Sequence, residues 1–355
     1  MNSSSGEGTD RADGARAYPR ARSSPEDFAV EEVPLYPPSG RGSHTFAWVE
    51  KRLRTTEEVA RDLARGAGVP VRDIGYAGRK DRVAVTRQWF SLPGTDPARV
   101  LALELPGARV LRAECHDHKL RTGHLRGNRF DIVLREVDAE MLARAEVVRE
   151  EILRVGLPNR FGSQRFGRGG ANVEAARRLL REGRIRGDRR SARFLISALQ
   201  SAVFNELLRG RPLPLDRVEV GDIARKSGTG GLFLVEDEEV ENFRAARFEI
   251  SATGPIFGAR MPMPRGVVAE REAGALEALG VPPLGELRPP RGIRLRGARR
   301  PLRVRLVDFE MKLDGDRLRL RFELPAGSYA SVVLEELFGQ LREGLRDAAG
   351  SQEVP

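Results

Sequence analysis

The sequence predicts an α+β protein whose strands lie at both ends of the chain and frame an inserted unit. Three observations carry that reading. The first 137 residues are mostly strands of period two, the segment from 159 onward turns glycine- and arginine-rich and then helical, and alternating strands return from about 301. A chain of 355 residues is long for one domain and fits two at about 150 residues each.

Order is expected to begin near SPEDFAVEEVP, where Phe28 and Val30 share one face of a strand, after a Ser/Gly/Asp-rich tail over 1–16 that is read as disordered. HTFAWVEK at 44–51 is a second strand. Thr55 and Glu58 have capping-box spacing, and Val59 and Leu63 continue an apolar stripe, so a helix spans 56–67 and closes at Gly66 or Gly68. The loop AGRKDR occupies 77–82. AVTRQWFSL and ARVLRAECHD read as strands, and GNRFDIVLREV places Phe130, Ile132 and Leu134 on one face. A helix covers roughly 138–155.

NRFGSQRFGRGGAN opens the inserted unit, followed by helices around 172–182 and along SARFLISALQSAVFNELL. From 218 to 258 frequent glycines and weak helical periodicity predict a small β-rich unit, GVVAEREAGALEALG a short helix, and 282–301 a linker. PLRVRLVDFEMK and DRLRLRFELP form a hairpin around Asp314–Gly315, and SYASVVLEELFGQLREGL is an amphipathic C-terminal helix. No internal repeat stands out.

Sixty-one basic residues against 51 acidic give a net charge of +10, which favours an anionic partner, nucleic acid before membrane. Only five of the 61 are lysine, so 56 are arginine, a bias to which genome base composition contributes. Cys115 is the single cysteine, so no intramolecular disulfide forms. No apolar run approaches the roughly 20 residues that span a bilayer, and the amino-terminal residues lack a signal peptide's apolar stretch. A soluble, cytoplasmic protein is expected.

The hexapeptide at 77–82 sets one carboxylate, Asp81, among Arg79, Lys80 and Arg82. A turn accounts for Gly78 and for Asp81 itself, but not for a knot of opposite charges, which suits a reactive carboxylate beside a polyanion. Cys115, His116, Asp117 and His118 are the only cluster of soft ligands, and strand alternation splits them between two faces, so a surface strand with solvated histidines is preferred to a metal site. RFGRGGAN lacks the Lys-Ser/Thr ending of a phosphate loop, and no serine sits in G-x-S-x-G.

Six separated blocks in one order resemble the TruD family of tRNA pseudouridine synthases: RSSPEDFAVEE at 22–32, GRGSH at 40–44, YAGRKDRVAVTRQW at 76–89, LRTGHLRGNRF at 120–130, PNRFGSQRFG at 158–167 and LPAGSYAS at 324–331. The likeness covers about residues 20 to 340. It implies a circularly permuted pseudouridine-synthase catalytic domain over 17–158 and 301–355, with a family-specific TRUD domain inserted at 159–300. It also implies that the enzyme isomerises a uridine of tRNA, at position 13 of the D-arm in bacterial members. Asp81 matches the family's catalytic aspartate and Arg22 the basic residue paired with it, where relatives also carry Lys. Phe28 matches an active-site aromatic, Asn128 and Phe130 an N-x-F element, and Tyr329 a position where relatives often carry Phe.

Core packing remains the competing reading for Phe28, Phe130 and Tyr329. Asn128 offers a donor and an acceptor for a uracil edge or for the aspartate loop, and Lys80 is expected to hold phosphate. Breaking the base–sugar bond and rejoining through C5 is redox-neutral, so no cofactor and no metal is expected; tRNA is the expected partner, and a monomer the expected state. A non-catalytic tRNA-binding protein or RNA chaperone, and a synthase acting on another RNA, are the alternatives.

Overall fold

The computed structural model describes residues 18–185 and 187–345, so the tail read at 1–16 lies outside the described residues. The first part of the chain runs β1 (Arg20–Ala21), β2 (Phe28–Pro34), β3 (His44–Arg52), α1 (Thr56–Ala67), β4 (Gly75–Tyr76), β5 (Val85–Pro93), α2 (Pro97–Leu101), β6 (Glu104–Leu105), β7 (Ala108–His116), β8 (Leu125–Arg135) and α3 (Ala139–Val155). The middle part runs β9 (Leu157–Pro158), α4 (Ala171–Glu182), α5 (Arg189–Arg209), β10 (Ile223–Lys226), β11 (Leu232–Leu234), α6 (Glu238–Ala246), β12 (Ile250–Ile256), α7 (Gly266–Ala278) and β13 (Ala298–Pro301). The last part runs β14 (Arg303–Val304), β15 (Val307–Asp314), β16 (Arg317–Pro325), α8 (Ala330–Phe338) and β17 (Arg342–Glu343).

The main sheet has the order β15-β16-β8-β2-β5-β3-β7-β6, with β1, β4 and β17 attached at its margins. Strands from the two ends of the sequence therefore meet: β16 pairs antiparallel with β8 from Leu318↔Leu134 to Pro325↔Gly127. The β15–β16 turn sits where the hairpin is expected, Gly315 taking a φ of 60° that suits glycine. Alternation decides which face is buried. Leu318, Leu320, Phe322 and Leu324 join Phe130, Ile132 and Leu134 in a core closed by α3 and α8, through Met141, Ala145, Val333 and Leu337.

The local signals at α1 behave as expected, since Thr55 Oγ1 accepts from Glu58 N, the Glu58 carboxylate accepts from Thr55 N, and Gly68 closes the helix in the left-handed region. A four-stranded sheet β11-β10-β12-β13 and helices α4, α5 and α7 build a second core around Leu199, Val203, Phe204, Ile250 and Leu276.

Four expectations change. The β-rich stretch also holds α6, whose Asp237 side chain accepts from Glu239 N and Val240 N while three glutamates favour the helix start. The linker ends early, because residues 298–301 are β13, hydrogen-bonded to β12. PLRVRLVDFEMK is not one strand: Arg303 turns inward, fully buried, to donate to the carbonyls of Val155, Ala245 and Ile250. The last helix ends at Phe338, where Gly339 takes a φ of 73°, and β17 then runs parallel to β1.

Candidate active site

Three rungs of the main sheet form the floor. Register pairs Glu32 with Asn128 and Asn128 with Leu324, Val30 with Phe130 and Phe130 with Phe322, and Phe28 with Ile132 and Ile132 with Leu320. Period-two alternation turns all nine side chains to the same face of the sheet. Phe130 stacks on Phe322 at a centroid distance of 5.3 Å and meets Phe28 edge-on at 6.3 Å.

The loop 77–82 is fastened through its backbone. Gln88 Nε2 donates to the Gly78 carbonyl at 2.9 Å, Lys80 N donates to Thr56 Oγ1 at 3.0 Å, and Gly123 N donates to the Ala77 carbonyl at 2.8 Å. Arg79 is ion-paired with Glu57 at the start of α1. On this support Asp81 Oδ2 accepts from Arg22 Nη2 at 2.7 Å, both side chains remaining partly exposed. The Arg22 guanidinium also lies over the Phe28 ring, 4.2 Å from its centroid, so one arginine joins the carboxylate to the aromatic floor. Arg22 itself has a φ of 54°, a conformation unusual for a residue with Cβ. The segment after β17 holds it there, since Gly344 N donates to the Ala21 carbonyl at 2.9 Å and Leu345 N to the Arg22 carbonyl at 2.8 Å.

Arg22, Phe28, Asp81 and Phe130 are thus brought together. Lys80 corrects an expectation: its ammonium is buried and donates to Glu32 Oε2 at 3.1 Å, with side-chain exposures of 4% and 1%, so it is held inside the protein and does not stand ready for phosphate. Burial pushes the Glu32 carboxyl up, opposed by the charge of Lys80. Asn128 lies beside Glu32 on the floor, and its Oδ1 is buried without a hydrogen-bond partner. Tyr329 stands apart from the Arg22–Asp81 pair's contacts, at the start of α8 and 6.1 Å from Phe161.

Sequence reasoning passed over Lys51 and Thr56, which lie on regular elements outside the six blocks, and gave no role to Glu32 and Gln88, although both lie inside those blocks. The histidines depart from the solvated reading too: His116 is buried against Phe46, and His116, His118 and His124 surround Tyr36. Ser39 N donates to His116 Nδ1 at 3.1 Å, so His116 carries its proton on Nε2, 3.3 Å from His118 Nε2. Among the described residues no group of three or more His, Cys, Asp or Glu is arranged to hold a metal ion, and no helix is long and apolar enough to cross a membrane.

Comparison with known proteins decides the family. The model of tRNA pseudouridine synthase D (TruD) matches residues 12–185 and 188–337. The chain belongs to the TruD family. It is 41% identical to tRNA pseudouridine synthase D of Geobacter metallireducens, over 88% of this chain and 93% of that one. With the Thermus thermophilus protein of the same name the identity is 47%, over 89% of this chain and 87% of the relative. The crystal structure of a putative TruD from Methanosarcina mazei superposes with a TM-score of 0.71 and 25% identity, over 91% of this chain and 94% of that one. As a TruD-family member the protein is a pseudouridine synthase, an isomerase, and its α+β architecture is the TruD fold.

This TruD-family enzyme also has a cleft of about 1040 Å³ where β8 and the end of β16 face the middle part of the chain. Arg126, Arg129, Arg165, Arg225, Lys226 and Arg300 are among its lining residues, and Asp81 is not. Arg300 lies 4.1 Å over the Phe161 ring, where burial pulls its guanidinium down to about 10, still charged at neutral pH. The cleft is suited to a polyanion, and the loop with Asp81 to a reacting centre.

Proposed function

We propose that the protein isomerises a uridine of tRNA, at position 13 of the D-arm, to pseudouridine, with Asp81 as the nucleophile. The observation that carries this reading is the Arg22–Asp81 pair, 2.7 Å long, set beside Phe28 on a loop whose backbone is bonded at Ala77, Gly78 and Lys80. A guanidinium at that distance favours the ionised carboxylate, the form that attacks.

The base–sugar bond breaks, the base turns, and C5 joins the sugar carbon; C5 gives up its hydrogen and N1 ends with one, so reactant and product have the same atoms. Asp81 adds to sugar or base, or promotes a glycal, and leaves again unchanged. A uridine stacked within folded RNA has to be turned out to reach the carboxylate, and stacking on an aromatic or guanidinium plane recovers roughly 1–3 kcal/mol of what that costs. The Arg22 guanidinium over Phe28 supplies such a plane, and the unpartnered Asn128 Oδ1 supplies an acceptor for an edge of the base. The arginines of the 1040 Å³ cleft hold phosphates in this reading. Mapping pseudouridine in tRNA from cells with and without the protein tests it: one site that loses its modification supports the reading, and an unchanged map refutes it.

A further inference from the structure

Lys51 is 1% exposed, and its Nζ donates to the carbonyls of Arg54 at 2.6 Å and Asp81 at 2.7 Å, with the Lys80 carbonyl at 3.5 Å. An ammonium has three N–H bonds, and three carbonyl oxygens surround this one. We propose that Lys51 is a positioning residue for the reaction, clamping the carbonyl of Asp81 to β3 so that its carboxylate is held at Arg22; this rests on the role given to Asp81 above.

The reasoning is geometric. Arg22 fixes the Asp81 carboxylate from outside, and Lys51 fixes the same residue's backbone from inside, so the side chain is held at both ends. Thr56 and Gln88 tie down the neighbouring peptides at Lys80 and Gly78, and Lys51 holds the Asp81 carbonyl. A neutral amine does not do the same work. With one proton gone, two donors remain for three acceptors, and a lone pair is directed at a carbonyl oxygen. Burial pulls Lys51 down to about 8; the carboxylates of Asp81, Glu57 and Glu58 oppose that, and Lys80 adds to it. On the flanking strands Lys51 pairs with Thr86 and Ala108, which carry no charge. Deprotonation should therefore loosen Asp81 within an accessible pH range while the fold persists.

The test is steady-state pseudouridine formation on tRNA from a strain lacking the enzyme, from pH 6.5 to 9, with melting curves at each pH. Lys51→Met should lower kcat tenfold or more and change KM less than threefold. The wild type should lose kcat as pH rises past about 8, whereas Lys51→Met should show no such bend. Lys51→Arg, with permanent charge and several donors, should recover part of kcat without the bend. A folded Lys51→Met with kcat within twofold of wild type overturns the proposal. If Lys51→Met does not fold, the wild-type profile decides: a bend near pH 8 in a protein still folded supports the clamp, and a flat profile to pH 9 overturns it. Asp81→Asn, assayed alongside, separates the two readings. If it is inactive and Lys51→Met is unimpaired, only the clamp fails; if Asp81→Asn turns over at more than about one per cent of wild type, the nucleophile reading fails and the clamp with it.

Discussion

Replacing Lys80 by Met tests whether that lysine is part of the interior or part of an RNA-binding surface. In the wild type its ammonium and the Glu32 carboxylate are 3.1 Å apart and almost wholly removed from water. Removing one partner strands the other charge, and a broken buried pair costs about 3–5 kcal/mol, compared with 0–1 kcal/mol for an exposed one. Glu32 then has two unfavourable choices, ionised without a partner or protonated at neutral pH. Its carboxyl is already raised by burial, and losing Lys80 raises it further. A group whose folded value lies above its unfolded one binds an extra proton on folding between the two, so lowering the pH favours the folded state of the variant. Lys80→Met should therefore be more destabilised at pH 8 than at pH 5.5 relative to wild type.

Thermal and urea melts measure this, and at roughly 2 °C per kcal/mol for a unit of this size Tm should drop by about 6–10 °C at pH 8. Lys80→Met combined with Glu32→Gln, which removes the stranded charge, should recover at least half of the loss. tRNA affinity of the folded single variant should keep the wild-type salt slope. A Tm within one degree of wild type, together with a salt slope reduced by about one, would refute the buried pair and return Lys80 to the phosphates.

Asp81→Asn should reduce turnover by three orders of magnitude or more with tRNA affinity unchanged within a few-fold, read by single-turnover kinetics and filter binding. Phe28→Ala should destabilise the fold by about 3–5 kcal/mol, because its ring is 4% exposed within the main core; turnover lost at an unchanged Tm would make it a base platform alone. Between pH 8 and 10.5 the wild type should gain up to about 3 kcal/mol of stability over Lys51→Met, since the unfolded lysine keeps a proton that the buried one has lost; a difference constant with pH in urea melts would contradict this. Gly344→Ala puts a Cβ 2.8 Å from Ser23 Cα and 2.9 Å from the Arg22 carbonyl, so it should displace Arg22 and lower kcat several-fold with little change in KM. tRNA affinity should fall about a thousandfold or more between 50 and 200 mM salt if at least six phosphates are neutralised, and Arg225→Ala should reduce that slope by about one.

Local chemistry was legible in the sequence because it is written in neighbouring residues. The capping box of α1, the alternation of Phe130, Ile132 and Leu134, the hairpin at Asp314–Gly315 and the charge knot at Asp81 all depend on spacings of a few positions. The six blocks shared with the TruD family added Arg22 as the partner of Asp81, across 59 positions that no local rule connects. What the sequence could not contain was which charges end in water. Lys80 carries the same motif signal whether it points to solvent or to Glu32, and only the pairing of β2 with β8, which turns Glu32 inward beside the loop, decides it. Lys51 and Gln88 belong to ordinary strands, and their importance comes from the loop that folds back over them. The last helix shows the same limit from the other side: its apolar stripe runs on past Gly339, but the chain leaves it to pair with β1, because backbone hydrogen bonds to Pro19, Ala21 and Arg22 exist only once the two ends of the chain have met.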